Sequence, residues 1–462
     1  MRIVMCASEA VPFAKTGGLA DVVGALPLAL EQLGQEVAVI LPYYKEVGKA
    51  LGLKVNEESS DIYSSVIGKG VKVYFIVQDK FYKRDNLYGD KHGDYPDNLV
   101  RFSYYCQSAL KLLKKVNFSP DIIHCHDWQA ALIPLYLKEF YKEDIFYKNT
   151  KTVLTIHNLG YQGLFEEKEY PLLGLERKFF DSDGMEFFGR INLLKAGILF
   201  SDIVTTVSPT YSREIQADKL GFGLEGVLQK RSSSLYGILN GLDYSIWNPQ
   251  TDKLIAYKYS VNDLQGKAKD KEELQKLCSL PVNPQLPVVS IVSRLAGQKG
   301  FDLLGPLLDA ICKMPLQLVI LGTGEAKYHH LLEETARKHG KNFSLYLKFD
   351  DELAHKIYAG SDIFLMPSHY EPCGLGQLIA LKYGAIPLVY KTGGLADTVS
   401  AENGFLFEHY KKEELINTIK EAVRVFSDSR KWSKLIVNAM NCNFSWDVAA
   451  KKYIQVYEKI LK

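Results

Sequence analysis

Lys15, Thr16, Gly17, Gly18, Leu19, Ala20 and Asp21 set a cation, two adjacent glycines and a carboxylate side by side. A glycine turn lets backbone N–H groups approach an anion, and the amino end of a following helix favours negative charge. Taken alone, such a turn more often makes a tight connection than a binding site. The same phrase returns, however, as Lys391, Thr392, Gly393, Gly394, Leu395, Ala396 and Asp397. That echo is not easily accidental, and it points to two similar sheets that each offer a glycine turn to a shared cleft. Ser293-Arg294-Leu295-Ala296-Gly297-Gln298-Lys299-Gly300 adds two cations beside glycines. A solvated basic loop is the commoner fate of such a pair. At a sheet edge it is also what a diphosphate leaving group needs, because departing charge has to be neutralised when no metal does so. His369-Tyr370-Glu371-Pro372-Cys373-Gly374-Leu375 supplies a carboxylate, a rigid proline and a glycine ahead of a helix whose N–H groups would point into the cleft. Cys373 as a nucleophile is the rival reading there, but no histidine base is evidently paired with it.

The elements that must position these residues follow from hydrophobic period. Ile3 to Cys6 is an apolar run, and Leu19, Val22, Val23, Leu26, Leu30 and Leu33 recur at helical spacing before Gly34, a helix stop. Val37 to Leu41 is the next apolar run, so strand, helix and strand make a parallel sheet with the glycine turn at its carboxyl edge, where such sheets bind ligands. Further strands are expected at 70–77, 122–126, 152–156, 201–207 before Pro209, and 236–239 before an Asn240-Gly241 turn. Asp127, His157 and Asn158 then fall directly after strands. Helices are expected at 103–115 and 448–461. The pattern restarts with strands at 287–292, 316–321, 345–349, 363–366 and 386–389. Tyr244 to Asp252 is irregular and reads as the interdomain hinge. The expected fold is α/β: two doubly wound Rossmann-like domains facing each other across a cleft. Residues 1–243 form the first, 244–446 the second, and the helix in 447–462 packs back on the first.

Composition excludes several functions. In 462 residues, Lys plus Arg number 56 and Asp plus Glu 54, a net charge of +2, so there is no global field for nucleic acid or an anionic membrane. Any anion binding must be local. No apolar stretch is long enough to span a bilayer, and the opening turns polar at Ser8 and Glu9, which predicts a soluble, cytoplasmic protein. Seven cysteines lie scattered without a Cys-x-x-Cys pair, which predicts reduced thiols. His124 and His126 would share one face of a strand and could hold a metal, but no obvious third ligand accompanies them. Asp181-Ser182-Asp183 has the form of a metal-binding pair in glycosyltransferases, yet it reads as a solvated turn. Gly221 to Gly226 fits a dinucleotide fingerprint without the strand that must precede it, so no nicotinamide site is expected.

Ser8 through Val23 resembles the opening of bacterial glycogen synthases and plant starch synthases, and the resemblance runs through most of the chain. It covers His124-Cys125-His126-Asp127-Trp128, Thr155-Ile156-His157-Asn158, Asn240-Gly241, Ser293 to Gly300, Glu371 to Leu375 and Lys391 to Leu395. The resemblance implies a GT-B enzyme that moves glucose from ADP-glucose to the non-reducing end of glycogen or another α-1,4-glucan, with retention of configuration. It implies that Lys15, Arg294 and Lys299 offset the diphosphate charge and that Asp127, His157 and Glu371 hold the transferred glucose. It further implies contacts to substrate from Gly17, Gly18, Asp21, Asn158, Asn240, Cys373, Gly374, Leu375, Thr392 and Gly393. Tyr95-Pro96-Asp97-Asn98 with Arg101-Phe102 resembles the segment lining the cleft near the acceptor, although an ordinary tyrosine loop fits equally. The family's adenine-stacking tyrosine is replaced near Phe349 by a ring without the hydroxyl. Neither a metal nor pyridoxal phosphate is implied. Three alternatives stay open: a UDP-glucose-using synthase, a glucan phosphorylase and a non-catalytic sensor of glucan or nucleotide sugar.

Overall fold

The computed structural model describes residues 1–49 and 54–462. The chain forms two compact units, one made of 1–241 with 446–462, the other of 242–445.

The first unit is built on a nine-stranded sheet. Its strands lie in the order Leu235–Gly237, Ile203–Thr206, Lys151–Ile156, Ile122–His126, Arg2–Cys6, Glu36–Pro42, Val71–Ile76, Ile62–Ile67 and Asn56–Ser59. The first seven run parallel, and the last two fold back as an antiparallel hairpin. The central strands are buried along nearly their whole length, which is why they read as apolar runs rather than as alternating patterns. Chain direction across the sheet reverses at Arg2–Cys6, which pairs with Glu36–Pro42 on one side and Ile122–His126 on the other. Ligands of doubly wound sheets bind outside the carboxyl ends at such a switch point. Here those ends lead to Ser8 and Glu9 from one strand and to Asp127 from the other. Helix Gly18–Gln32 ends as expected, with Gly34 left-handed at φ 81° and the Gln35 N–H donating to Leu30 O at 3.0 Å.

The second unit holds a six-stranded, all-parallel sheet. Its order is Phe343–Tyr346, Gln317–Leu321, Val288–Val292, Ile363–Met366, Ile386–Tyr390 and Phe405–Phe407. Direction reverses between Val288–Val292 and Ile363–Met366. The loops leaving those two strands carry Arg294 with Lys299, and Glu371.

Several expectations shift. Helix Asn98–Lys115 begins five residues before the expected Ser103, because Arg101 is a core residue that folds its charge inward. Its guanidinium donates to Phe81 O at 2.8 Å, Leu87 O at 3.0 Å and Asn98 Oδ1 at 2.6 Å. Arg101 and Phe102 are therefore wholly buried and line no open surface. Pro209 does not merely stop a strand: it opens helix Pro209–Glu214 behind the Ser208 cap. Tyr244 to Asp252, expected to be a hinge, belongs to the second unit and is tied into it. The Asp252 carboxylate accepts the Tyr383 hydroxyl at 2.5 Å and lies 2.7 Å from His355 Nδ1, and Trp247 stacks on that imidazole at 3.9 Å. No helix of the described residues is long and apolar enough to cross a membrane.

Candidate active site

At the switch point of the first sheet the glycine turn already holds an anion, and it is the protein's own. Glu9, 3% exposed, accepts the Thr16 and Gly17 N–H groups, the latter at 3.3 Å, and the Thr16 hydroxyl at 2.7 Å. The Tyr88 hydroxyl donates to the same carboxylate at 2.5 Å, so Ser8, 2.7 Å from the Tyr88 oxygen, is the donor in that pair. The N–H groups expected to meet a ligand are thus spent on Glu9, whose charge fixes the turn. Gly17 and Gly18 nevertheless face open space, with nothing within 4 Å of a Cβ placed on either. Lys15 projects beside them, ion-paired to Asp21 at 2.7 Å with both side chains partly exposed.

Asp127 sits on the neighbouring strand end in the left-handed region, φ 54°. Its Oδ1 accepts the His157 N–H at 2.7 Å, a contact that offsets the backbone strain. Burial pushes its carboxyl up to about 7, the N–H groups of His157 and Asn158 pull it down, and the charge of Glu9 adds to the rise. Burial pushes His157 down to about 3, so its ring is neutral across the working range. His157 Nε2 lies 3.0 Å from His126 Nδ1. Asn158 turns its side-chain oxygen to the Gly160 N–H at 3.0 Å. Asn240 is buried, and its Oδ1 has no hydrogen-bond partner among the described residues, an acceptor suited to a ligand donor. Tyr95 is half-buried, with the Arg84 and Arg101 guanidiniums 4.6 Å and 5.2 Å from its ring centre.

At the switch point of the second sheet, Lys299 Nζ meets Glu371 Oε2 at 2.5 Å, with side chains 15% and 9% exposed. The Ser368 hydroxyl donates to the same oxygen at 3.0 Å. Arg294 stands in the same loop as Lys299 but is exposed, its guanidinium 3.4 Å from Gln298 Oε1. Gly374 is left-handed at φ 77°, Cys373 is buried, and Leu375 leads into helix Gly376–Lys382. The second glycine phrase packs directly on this loop. Gly394 N–H donates to Glu371 O at 3.0 Å, and Gly393 has φ 45° with a hypothetical Cβ only 2.0 Å from Glu371 O. Thr392, buried, is the extended residue that caps the six-residue helix Gly393–Thr398. The two phrases therefore repeat a local fold, not an environment: one is open beside Lys15, while the other is packed and its Lys391 pairs with Glu408 at 2.7 Å. Phe349, beyond strand Phe343–Tyr346, is 84% exposed.

Each switch point gathers its share of the expected residues. Among the described residues, no three His, Cys, Asp or Glu side chains cluster as metal ligands, and Asp181 and Asp183 are exposed in a turn. Glu9, Tyr88, Ser368 and the His126 contact were not assigned from sequence. Glu9 had a readable signal, since it lies three residues past the strand that ends at Cys6, on the ligand edge.

The starch synthase catalytic domain family matches residues 2–230, and the group 1 glycosyltransferase family matches 275–435. A glycogen synthase of Geotalea uraniireducens is 50% identical, covering 100% of this chain and 99% of its own. This chain belongs to the glycogen and starch synthase family. A glycogen synthase of Pseudothermotoga lettingae is 44% identical over 100% of this chain and 99% of its own. The catalytic domain of starch synthase IV from Arabidopsis thaliana, bound to ADP and acarbose, superposes with a TM-score of 0.90. It is 34% identical and covers 100% of this chain and 99% of its own. The chain is accordingly a glycosyltransferase of the glycogen or starch synthase kind, and its two Rossmann-like units are those of the GT-B fold.

Proposed function

We propose that the chain transfers glucose from ADP-glucose to the non-reducing end of an α-1,4-glucan such as glycogen, retaining the anomeric configuration, without a metal or pyridoxal phosphate. The observation that carries this reading is the Lys299–Glu371 pair at the second switch point. A mostly buried ammonium held by one carboxylate is a site where an incoming diphosphate can take over as counter-ion. Lys15 and Asp21 form a second but more exposed ion pair at the first sheet. Binding then exchanges ion pairs instead of desolvating bare charges, which keeps its cost low. As the bond from the anomeric carbon to the diphosphate breaks, Lys15, Arg294 and Lys299 offset the departing negative charge. Glu371, released from Lys299, together with Asp127 and His157, holds the sugar while positive charge develops at its anomeric carbon.

The remaining expected contacts divide by environment. Gly17, Gly18 and Asp21 give the donor open access beside Lys15, and the unmet Asn240 acceptor suits a sugar hydroxyl. Asn158 belongs to the same edge. Cys373, Gly374, Leu375, Thr392 and Gly393 form the packed loop pair that fixes Glu371. Tyr95 borders the acceptor, and the exposed Phe349 ring offers the adenine a stacking face. The seven cysteines form no disulfide among the described residues, and six of them are buried, which suits a reducing cytoplasm. Incubation with ADP-glucose and glycogen should release ADP and extend the glucan, and an excess of UDP-glucose should compete poorly. Preferential use of UDP-glucose would overturn the donor assignment. A pyridoxal absorbance band in the purified protein would point to a phosphorylase instead.

A further inference from the structure

Beneath the first edge lies a buried polar chain that the proposed mechanism does not use. His124 is held at both ring nitrogens, by Thr155 Oγ1 at 2.6 Å and by the Tyr457 hydroxyl of helix Trp446–Leu461 at 2.7 Å. Its ring centre is 4.2 Å from that of His126, which it backs. His126 in turn places Nδ1 3.0 Å from His157 Nε2, while its own Nε2 is buried without a partner among the described residues. Both His126 and His157 are kept neutral by burial.

We propose that His126 is a positioning residue that fixes His157 as its Nδ1–H tautomer, so that His157 offers a ligand a hydrogen-bond donor rather than a base. Two neutral imidazoles sharing one hydrogen bond allow two assignments. If His157 Nε2–H donated, His126 would carry its proton on Nε2, a buried N–H with no acceptor, and orphaned buried donors are the rarest and costliest kind. If His126 Nδ1–H donates, only a lone pair is left unmet. The second assignment wins, and it leaves His157 with its proton on Nδ1, the nitrogen not occupied by His126. The tautomer follows from unit geometry alone; its catalytic consequence rests on the proposed role of His157 at the donor sugar.

The test is a two-bond 1H–15N correlation spectrum of the full chain labelled with 15N-histidine, with His157 assigned from the signals missing in His157→Asn. The expected result is a protonated-type Nδ1 and an unprotonated-type Nε2 on His157. His126→Asn, whose amide N–H replaces the donor, should keep this pattern and most of kcat. His126→Leu should lose the pattern and lower kcat by at least ~10-fold, with KM for ADP-glucose changing far less. An Nε2–H tautomer on His157 in the wild type overturns the proposal, whatever the variants do. So does a His126→Asn protein as impaired as His126→Leu. If wild-type His157 is Nδ1–H yet ADP-glucose is not used, the function assignment fails and the tautomer assignment stands.

Discussion

Truncating either partner of the Lys299–Glu371 pair should have opposite consequences for ligand binding. Glu371→Ala leaves a Lys299 ammonium that is 15% exposed and has lost its 2.5 Å counter-ion. Stranding one member of a fully buried pair costs about 3–5 kcal/mol. Partial solvent access lowers that to roughly 2–4 kcal/mol here. For a domain of this size about 1 kcal/mol moves Tm by 2–4 °C, so the second unit should melt roughly 4–16 °C lower. ADP supplies a replacement anion, so saturating ADP should raise the Tm of Glu371→Ala by more than it raises the wild type's. Lys299→Ala leaves the carboxylate instead, which repels a diphosphate, and ADP should raise its Tm by less than the wild type's. Differential scanning fluorimetry with and without ADP reads all three proteins. Equal ADP shifts in the two variants would refute counter-ion exchange, and so would an unchanged Tm in both without ligand.

Three further outcomes test other parts of the account. Burial lifts Asp127 to about 7 from an ordinary 3.8, so the stability its neutral form provides is complete below about pH 4 and is lost as pH rises through 7. Asp127→Asn keeps an acceptor for the His157 N–H without the charge, so its Tm should gain on the wild type's between pH 5 and pH 8. Over that window the ceiling is about 3 kcal/mol, from roughly two pH units at 1.36 kcal/mol each, and a pH-independent difference would contradict the reading. Gly393→Ala, with φ 45° and a Cβ 2.0 Å from Glu371 O, should unfold or strongly destabilise the second unit. Gly17→Ala, with open space at its Cβ, should melt within a few degrees of the wild type, and circular dichroism melts compare the two copies of the phrase. Tyr457→Phe removes the hydroxyl next to buried His124 Nδ1 and should cost about 1–3 kcal/mol of first-unit stability, measurable as the drop in its melting transition.

The strands at both switch points were legible because buried parallel strands are nearly continuous apolar runs, as Ile122–Cys125 and Ile386–Val389 show. Helix Gly18–Gln32 and its stop at Gly34 were legible from period and a single glycine. What escaped was decided by long-range contact. Arg101 reads as a surface charge until three carbonyl-type acceptors from Phe81, Leu87 and Asn98 enclose it. The strand pair Asn56–Ser59 and Ile62–Ile67 is mixed polar and apolar and lies at a sheet edge, where pairing rather than hydrophobicity makes the strand. At the site, cations and carboxylates were visible as residue types, but that Lys299 spends its charge on Glu371, and the glycine turn its N–H groups on Glu9, depends on side chains 72 and 7 or 8 positions away. The repeated phrase was visible as letters, and only packing shows that one copy is open while the other is a backbone spacer.

The most direct test is ADP release from ADP-glucose in the presence of glycogen, with and without EDTA, for the wild type, Lys15→Ala, Arg294→Ala and Lys299→Ala. The account predicts wild-type turnover unaffected by chelator and a loss of at least ~100-fold in the Lys299 variant, with substantial losses in the other two. Turnover abolished by EDTA, or all three variants within a few-fold of the wild type, would contradict it.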